Sequence, residues 1–222
     1  MTEDINQALS LLGSEESKAY LRFTLVQNGH EFPLKDILYS VEVLNNAGKH
    51  IDAARFAKAT GDSILAKECY VGAIEKCEKE QKFEDAGNIC KEANLFERAV
   101  DNYVKGSCGL KAAVAAESAG FKELAAGLYE TASKPLDAAR LFEELGQSEK
   151  ASFLYEKAGL TFDAFRTARD ASLYERAALI WDAAGKPEFG ASFARNKGLT
   201  ALAERLYKKA IDALVEKQST SF

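Results

Sequence analysis

Apolar and small residues recur along this chain at spacings of three, four and seven, with charged residues between them. Stepping by 13 residues from Ala86 returns Ala86, Ala99, Ala112, Ala125, Ala138, Ala151, Ala164, Ala177, Gly190 and Ala203, all of them small. A fixed internal period is the signature of stacked repeats. Three and four residues beyond the small one come pairs such as Leu128 and Tyr129, Leu154 and Tyr155, or Ile180 and Trp181. These share one face of a helix. A second small residue follows seven positions on, at Ala93, Gly106, Ala119, Ala132, Ala158, Ala171, Ala184 and Ala210, with Leu145 and Lys197 as exceptions, and is expected on that same face.

The unit boundaries agree with short helices. After the second small residue stands a stop or turn residue: Asn94, Ser107, Gly120, Ser133, Gly146, Gly159, Ser172, Gly185, Gly198. Gly and Asn tolerate the left-handed conformation that ends helices. Glu84, Glu97, Glu123, Glu149, Glu175 and Glu188 stand two residues before the register position, where a first helical turn favours an acid. Pro135 and Pro187 suit a helix start. Each unit therefore predicts a helix of nine or ten residues, ~15 Å long, too short to be stable in isolation.

Alternate units differ. Four residues past the register position one set reads Tyr103, Tyr129, Tyr155, Trp181 and Tyr207, and the other reads Cys90, Ala116, Phe142, Ala168 and Ala194. Large thus alternates with small, and the true repeat is a two-helix hairpin of 26 residues. The aromatic stripe is expected in the core rather than as a ligand ladder. The expected fold is all-α, an α-solenoid of antiparallel hairpins. Residues 1–46 are read as capping helices (about 3–12, 15–28 behind Ser14, and 34–46 behind Pro33), 47–216 as the solenoid, and 217–222 as a flexible tail. Residues 50–59 read as a further repeat unit, Asp62 to Gln81 as one longer helix, and Ala47 and Ala73 as staying in phase.

Composition narrows function. Charged residues are 28 % and net charge is −5, with 13 basic against 18 acidic residues up to position 110 and 16 of each after it. An extended basic face for a phosphate backbone is absent, which disfavours nucleic acid. The start Met-Thr-Glu-Asp-Ile-Asn-Gln lacks the pattern of a secretory signal, and no uncharged apolar run reaches membrane-spanning length, so a soluble cytoplasmic protein is expected. Cys69, Cys77, Cys90 and Cys108 are too far apart in sequence for a zinc or redox motif and read as buried free thiols. His30 and His50 read as surface or capping residues. No phosphate loop, G-x-S-x-G, H-E-x-x-H or Cys/His constellation occurs, so neither enzyme, metal nor cofactor is expected.

The phrase A-A-x-L-Y-E-x-A-G resembles degenerate tetratricopeptide-like repeats. It is closer to the short-helix solenoids of clathrin heavy chain, coatomer and intraflagellar-transport subunits and SNAP-type adaptors. The resemblance covers about residues 47–216. It departs from ordinary tetratricopeptide repeats in length and in lacking their first-helix Trp, Leu-Gly and Tyr pattern, so no family binding residue transfers. The resemblance implies a protein-binding scaffold or adaptor, as a subunit or fragment of a trafficking-type assembly, whose partner is a protein or peptide. The candidate contact patch is Arg195, Lys197, Arg205, Lys208 and Lys209, basic in an acidic protein and suited to an acidic partner, an anionic membrane surface or RNA. A helical-repeat RNA-binding protein using that patch is the alternative. The terminal Thr220-Ser221-Phe222 also has the form that PDZ domains bind.

Overall fold

The computed structural model describes residues 2–219; Thr220, Ser221 and Phe222, where the PDZ-type tail falls, lie outside them. Among the described residues there are fifteen α-helices and no strand. The first five are α1 (Thr2–Leu11), α2 (Glu15–Gln27), α3 (Leu34–Asn46), α4 (His50–Ala59) and α5 (Ser63–Lys79). Nine helices of ten residues follow: α6 (Phe83–Glu92), α7 (Phe96–Lys105), α8 (Gly109–Ser118), α9 (Lys122–Thr131), α10 (Pro135–Glu144), α11 (Ser148–Lys157), α12 (Thr161–Asp170), α13 (Tyr174–Ala183) and α14 (Pro187–Asn196). The last, α15 (Thr200–Ser219), is twice that length and runs past the expected start of the tail.

The chain forms two compact units, one ending at Ala115 and the other beginning at Ala116, so the boundary falls within α8. In the first, consecutive helices from α2 through α7 pack on one another; in the second, consecutive helices from α9 through α15 do. Each unit is a run of helix hairpins, an α-solenoid in which stability comes from nearest neighbours. No described helix is long and apolar enough to cross a membrane.

The period of 13 has a local cause, seen at the end of α6. Ala93 caps the helix and Asn94 adopts a φ of 57°. The Asn94 N–H donates to the Lys91 carbonyl at 3.1 Å, and the Leu95 N–H to the Cys90 carbonyl at 2.8 Å. This paired closure satisfies carbonyls that a helix end leaves open. Leu95 then serves as N-cap of α7, its carbonyl accepting from the Ala99 N–H at 2.9 Å. Ten helical residues plus a cap, a left-handed residue and the next N-cap make 13. All nine stop residues that the sequence marks, from Asn94 to Gly198, have φ between 57° and 82°.

The same left-handed stop occurs at Gly48, Gly61 and Gln81. The first two are 13 apart and the last two 20, so the repeat extends upstream with seven additional residues within α5. The positions eight before the upstream stops are Ser40 and Ala53, both fully buried. Ala47, which keeps the downstream phase in sequence, is the exposed C-cap of α3. Its agreement with the register is fortuitous, whereas Ala73 is buried.

All the register alanines are buried, most of them with no exposed surface. At Gly190 the reason for small size is plain: a Cβ there would collide with the Ala178 carbonyl oxygen of α13. The second small residue corrects the expectation. Ala93, Ala132, Ala158, Ala171 and Ala184 are C-caps, half-buried or exposed, and do not belong to the core face. The buried neighbour stands one residue after the register position instead, at Ala113, Ala126, Ala139, Ser152, Ala178 and Ala191. The aromatic stripe is core at Tyr103, Tyr129 and Tyr155. Trp181 is half-buried between Phe165 and Phe189, with ring centroids at 5.6 and 5.5 Å, and Tyr207 is 36 % exposed.

Candidate functional site

Polar side chains first serve to bind helices together. Glu117 accepts from Tyr129 Oη at 2.7 Å and from Arg140 Nη2 at 2.6 Å. One repeat on, Glu143 accepts from Tyr155 Oη at 2.7 Å, Arg166 Nη1 at 3.0 Å and Thr167 Oγ1 at 3.4 Å. In the first unit Glu92 of α6 receives Tyr70 Oη of α5 at 2.7 Å and a two-pronged contact from Arg55 of α4 at 2.8 and 2.9 Å. Each triad ties three successive helices together.

Their electrostatics follow from this geometry. The Arg55 hydrogen bond holds Glu92 below the usual carboxylate range, and the Tyr129 hydrogen bond, followed by that of Arg140, does the same for Glu117. Burial alone would raise Glu143, but its Tyr155 and Arg166 partners outweigh it and the net shift is downward. Burial and then the neighbouring carboxylate push Tyr70, Tyr129 and Tyr155 up to about 12. Both oxygens of each of these three carboxylates accept from neighbouring side chains.

A second feature is a groove of about 710 Å³ in the first unit. Its walls are the start of α4 (Gly48, Lys49, His50, Ile51, Asp52, Arg55) and α6 (Lys82, Asp85, Asn88, Ile89, Glu92). Its floor is the end of α5, with Ala73, Lys76, Cys77 and Glu80. The floor lies in the helix lengthened by seven residues, which adds about 10 Å of axial rise between the turns that launch α4 and α6. Sequence reasoning missed this groove, and its signal was the 20-residue spacing between Gly61 and Gln81. His50, read from the sequence as a surface or capping residue, is half-buried and meets Asn45 Oδ1 through Nδ1 at 2.6 Å. His30 Nδ1 lies 3.2 Å from the Leu25 carbonyl at the end of α2. Cys69 and Cys90 are buried free thiols as expected, while Cys77 and Cys108 are half-buried, and burial is the leading cause that raises all four.

The basic patch lies in the second unit, all five side chains exposed. Arg195 lies in the last turn of α14, Lys197 is its C-cap, and Arg205, Lys208 and Lys209 follow on α15. Two of them have local roles. Lys197 Nζ sits 4.3 Å from the Tyr174 ring centre, and Lys209 Nζ is 2.7 Å from Asp182 Oδ1. Arg195, Arg205 and Lys208 have no protein partner among the described residues, and on α15 spacings of three and four keep Arg205, Lys208 and Lys209 along one side. The second unit also exposes large apolar side chains, including Leu136 (49 %), Phe153 (56 %), Phe162 (63 %) and Phe189 (53 %). No group of three or more His, Cys, Asp or Glu side chains that could hold a metal ion occurs among the described residues.

Fold and surface together define an all-α helical-repeat protein. The sequence matches no protein-family model and has no significant similarity to any curated protein.

Proposed function

We propose that this chain is a non-enzymatic scaffold or adaptor for protein partners, built on the short-helix plan of clathrin, coatomer, intraflagellar-transport and SNAP-type repeats and working in the cytoplasm. The observation that supports this reading is the division of labour within each repeat. The register alanines and Tyr103, Tyr129 and Tyr155 are buried, whereas large apolar side chains stand exposed at Leu136 and Phe162, one 26-residue repeat apart, and at Phe153 and Phe189 outside that spacing. Apolar side chains held on rigid helices are the usual anchors of protein interfaces. Arg195, Arg205 and Lys208 add a local charge that attracts an acidic partner.

The test is affinity capture from native cell extract with purified chain, comparing the parent with Phe153→Ser/Phe162→Ser and with Arg205→Gln/Lys208→Gln. Stoichiometric retention of one protein, lost in either surface variant while the melting curve is unchanged, is the expected result. Recovery of ribonuclease-sensitive material that salt releases would move the function to RNA binding through the basic patch. A reproducible turnover abolished by one substitution would remove the non-enzymatic part of the reading.

A further inference from the structure

The second half of α15 outruns its support. In its first half the helix packs on α14 through Ala203 and Leu206, both buried. From Ile211 to Glu216 every residue is exposed. Ile211, Leu214 and Val215 are 59, 62 and 61 % exposed, and with Tyr207 they follow spacings of three and four, which makes them one apolar stripe along the helix. A short helical stretch exposed on all sides is marginal in water, and a partner on the stripe would hold it.

Two features indicate what that partner is. The first is Glu204, one residue after the register position. Ala126, Ser152 and Ala178 hold the same place on α9, α11 and α13 and are fully buried; at Ala178 the next helix comes so close that Gly190 has no room for a Cβ. An exposed, charged Glu204 keeps such an approach from recurring on α15, so the stripe is not the seat of one more repeat helix stacked in the same way.

The second is the order of charge. Glu204, Lys208 and Asp212, four residues apart, run along one edge of the stripe, while Lys209 is turned to Asp182 of α13, its Nζ 2.7 Å from Oδ1. A second copy laid antiparallel, with a two-fold axis beside Ile211, brings Ile211 onto its counterpart, Tyr207 toward Val215 and Lys208 toward Asp212. A parallel copy sets Lys208 against Lys208. Ala210, small and at the crossing, lets the two helices approach. An anionic lipid surface is repelled by Glu204 and Asp212 on the same edge.

We propose that two copies of this chain associate through the exposed half of α15, as an antiparallel helix pair with Ile211 at the axis and Lys208 of each copy facing Asp212 of the other. A stripe of four large side chains is smaller than the roughly 800 Å² per partner of a standard stable interface, so the dimer is weak and concentration-dependent. The surface is separate from Phe153 and Phe162, and the proposal does not rest on the scaffold reading.

Sedimentation equilibrium of the full chain, from micromolar to millimolar concentration, tests it. The expected result is a reversible monomer–dimer equilibrium. Ile211→Glu should weaken it at least about tenfold with an unchanged thermal midpoint, and Phe153→Ser/Phe162→Ser should leave it as it is. A charge swap tests the geometry. Lys208→Glu and Asp212→Lys, each alone, should weaken self-association about fivefold or more. An equimolar mixture of the two should recover the affinity of the parent, because both edge contacts then join opposite charges. A monomer throughout the range, a dimer indifferent to Ile211→Glu, or no recovery in the mixture overturns the proposal. So does Ile211-dependent binding to phosphatidylserine vesicles by a chain that stays monomeric, which would assign the stripe to a membrane. Partner capture through Phe153 and Phe162 would survive any of those results, so the two readings fail separately.

Discussion

Tyr155 shows how much one residue does in this fold. Its ring is buried, and its hydroxyl donates to Glu143. The two roles separate by substitution. Tyr155→Phe keeps the packing and removes a hydrogen bond to a charge, a loss of about 1.5–3 kcal/mol. Tyr155→Ala also opens a cavity and should cost about 3–5 kcal/mol, by analogy with large aromatic deletions. Urea melts of both variants measure the difference, and equal midpoints for the two would contradict a packed ring. Gly190 is the opposite case, where nothing larger fits against the Ala178 carbonyl. Gly190→Ala should lower stability by about 1–3 kcal/mol through overpacking, although alanine is the better helix former. The small register at such positions is open to reading from sequence because it repeats. The triads of Glu117, Tyr129 and Arg140 or Glu143, Tyr155 and Arg166 are not, because a tyrosine in a core pattern does not disclose where its hydroxyl ends.

At the scale of the element, each ten-residue helix ends because the chain turns through one left-handed residue, and that residue is not always glycine. Ser133 and Ser172 stand there with φ of 57° and 61°. Left-handed backbone carries a steric cost of about 1–2 kcal/mol for an ordinary L-residue, partly offset by the greater freedom that glycine has when unfolded. Ser133→Gly and Ser172→Gly should therefore each stabilise by up to about 1 kcal/mol, read as a higher thermal midpoint. Helix number and most helix limits are legible in the sequence, since the boundaries are local chemistry: α3 and α4 match the expected spans, and Ser14 caps α2 by accepting from the Ser17 N–H at 3.0 Å. What misleads is the residue seven past the register. Periodicity places it on the buried face, but the helix has already closed one residue earlier, so Ala158 and Ala184 are caps. The absence of smallness at Leu145 and Lys197 was the clue, because a cap has no neighbour to approach.

Both units share one response to pH. The folded-state pKa values of Glu92, Glu117 and Glu143 lie below their ordinary values, so the stability these carboxylates contribute is present above about pH 4.5 and lost as pH falls through the lowered values. Tyr70, Tyr129 and Tyr155, and Tyr20 through its 2.6 Å hydrogen bond to Asp52, are raised to about 12, so their contribution is present below about pH 10 and lost as pH rises toward 12. Thermal midpoints followed by circular dichroism should hold steady between these limits and fall on both sides. Tyr129→Phe/Tyr155→Phe should blunt the alkaline fall specifically. At this scale the sequence gives the plan of stacked hairpins and the exposed basic residues, yet not the groove, because a groove depends on the offset between helices rather than on any residue's type. That offset obeys a simple rule of rotation. Seven residues turn an ideal helix by about 700°, some 20° short of two complete revolutions, so α5 could be drawn out without swinging its apolar side away from its neighbours. Adding two residues after Ala66 would rotate everything beyond by about 200° and aim charge at the interior. Lengthening in steps of seven should leave a cooperative melt intact, and steps of two should abolish it. The long helix thus tolerates a change of length by whole strides of seven.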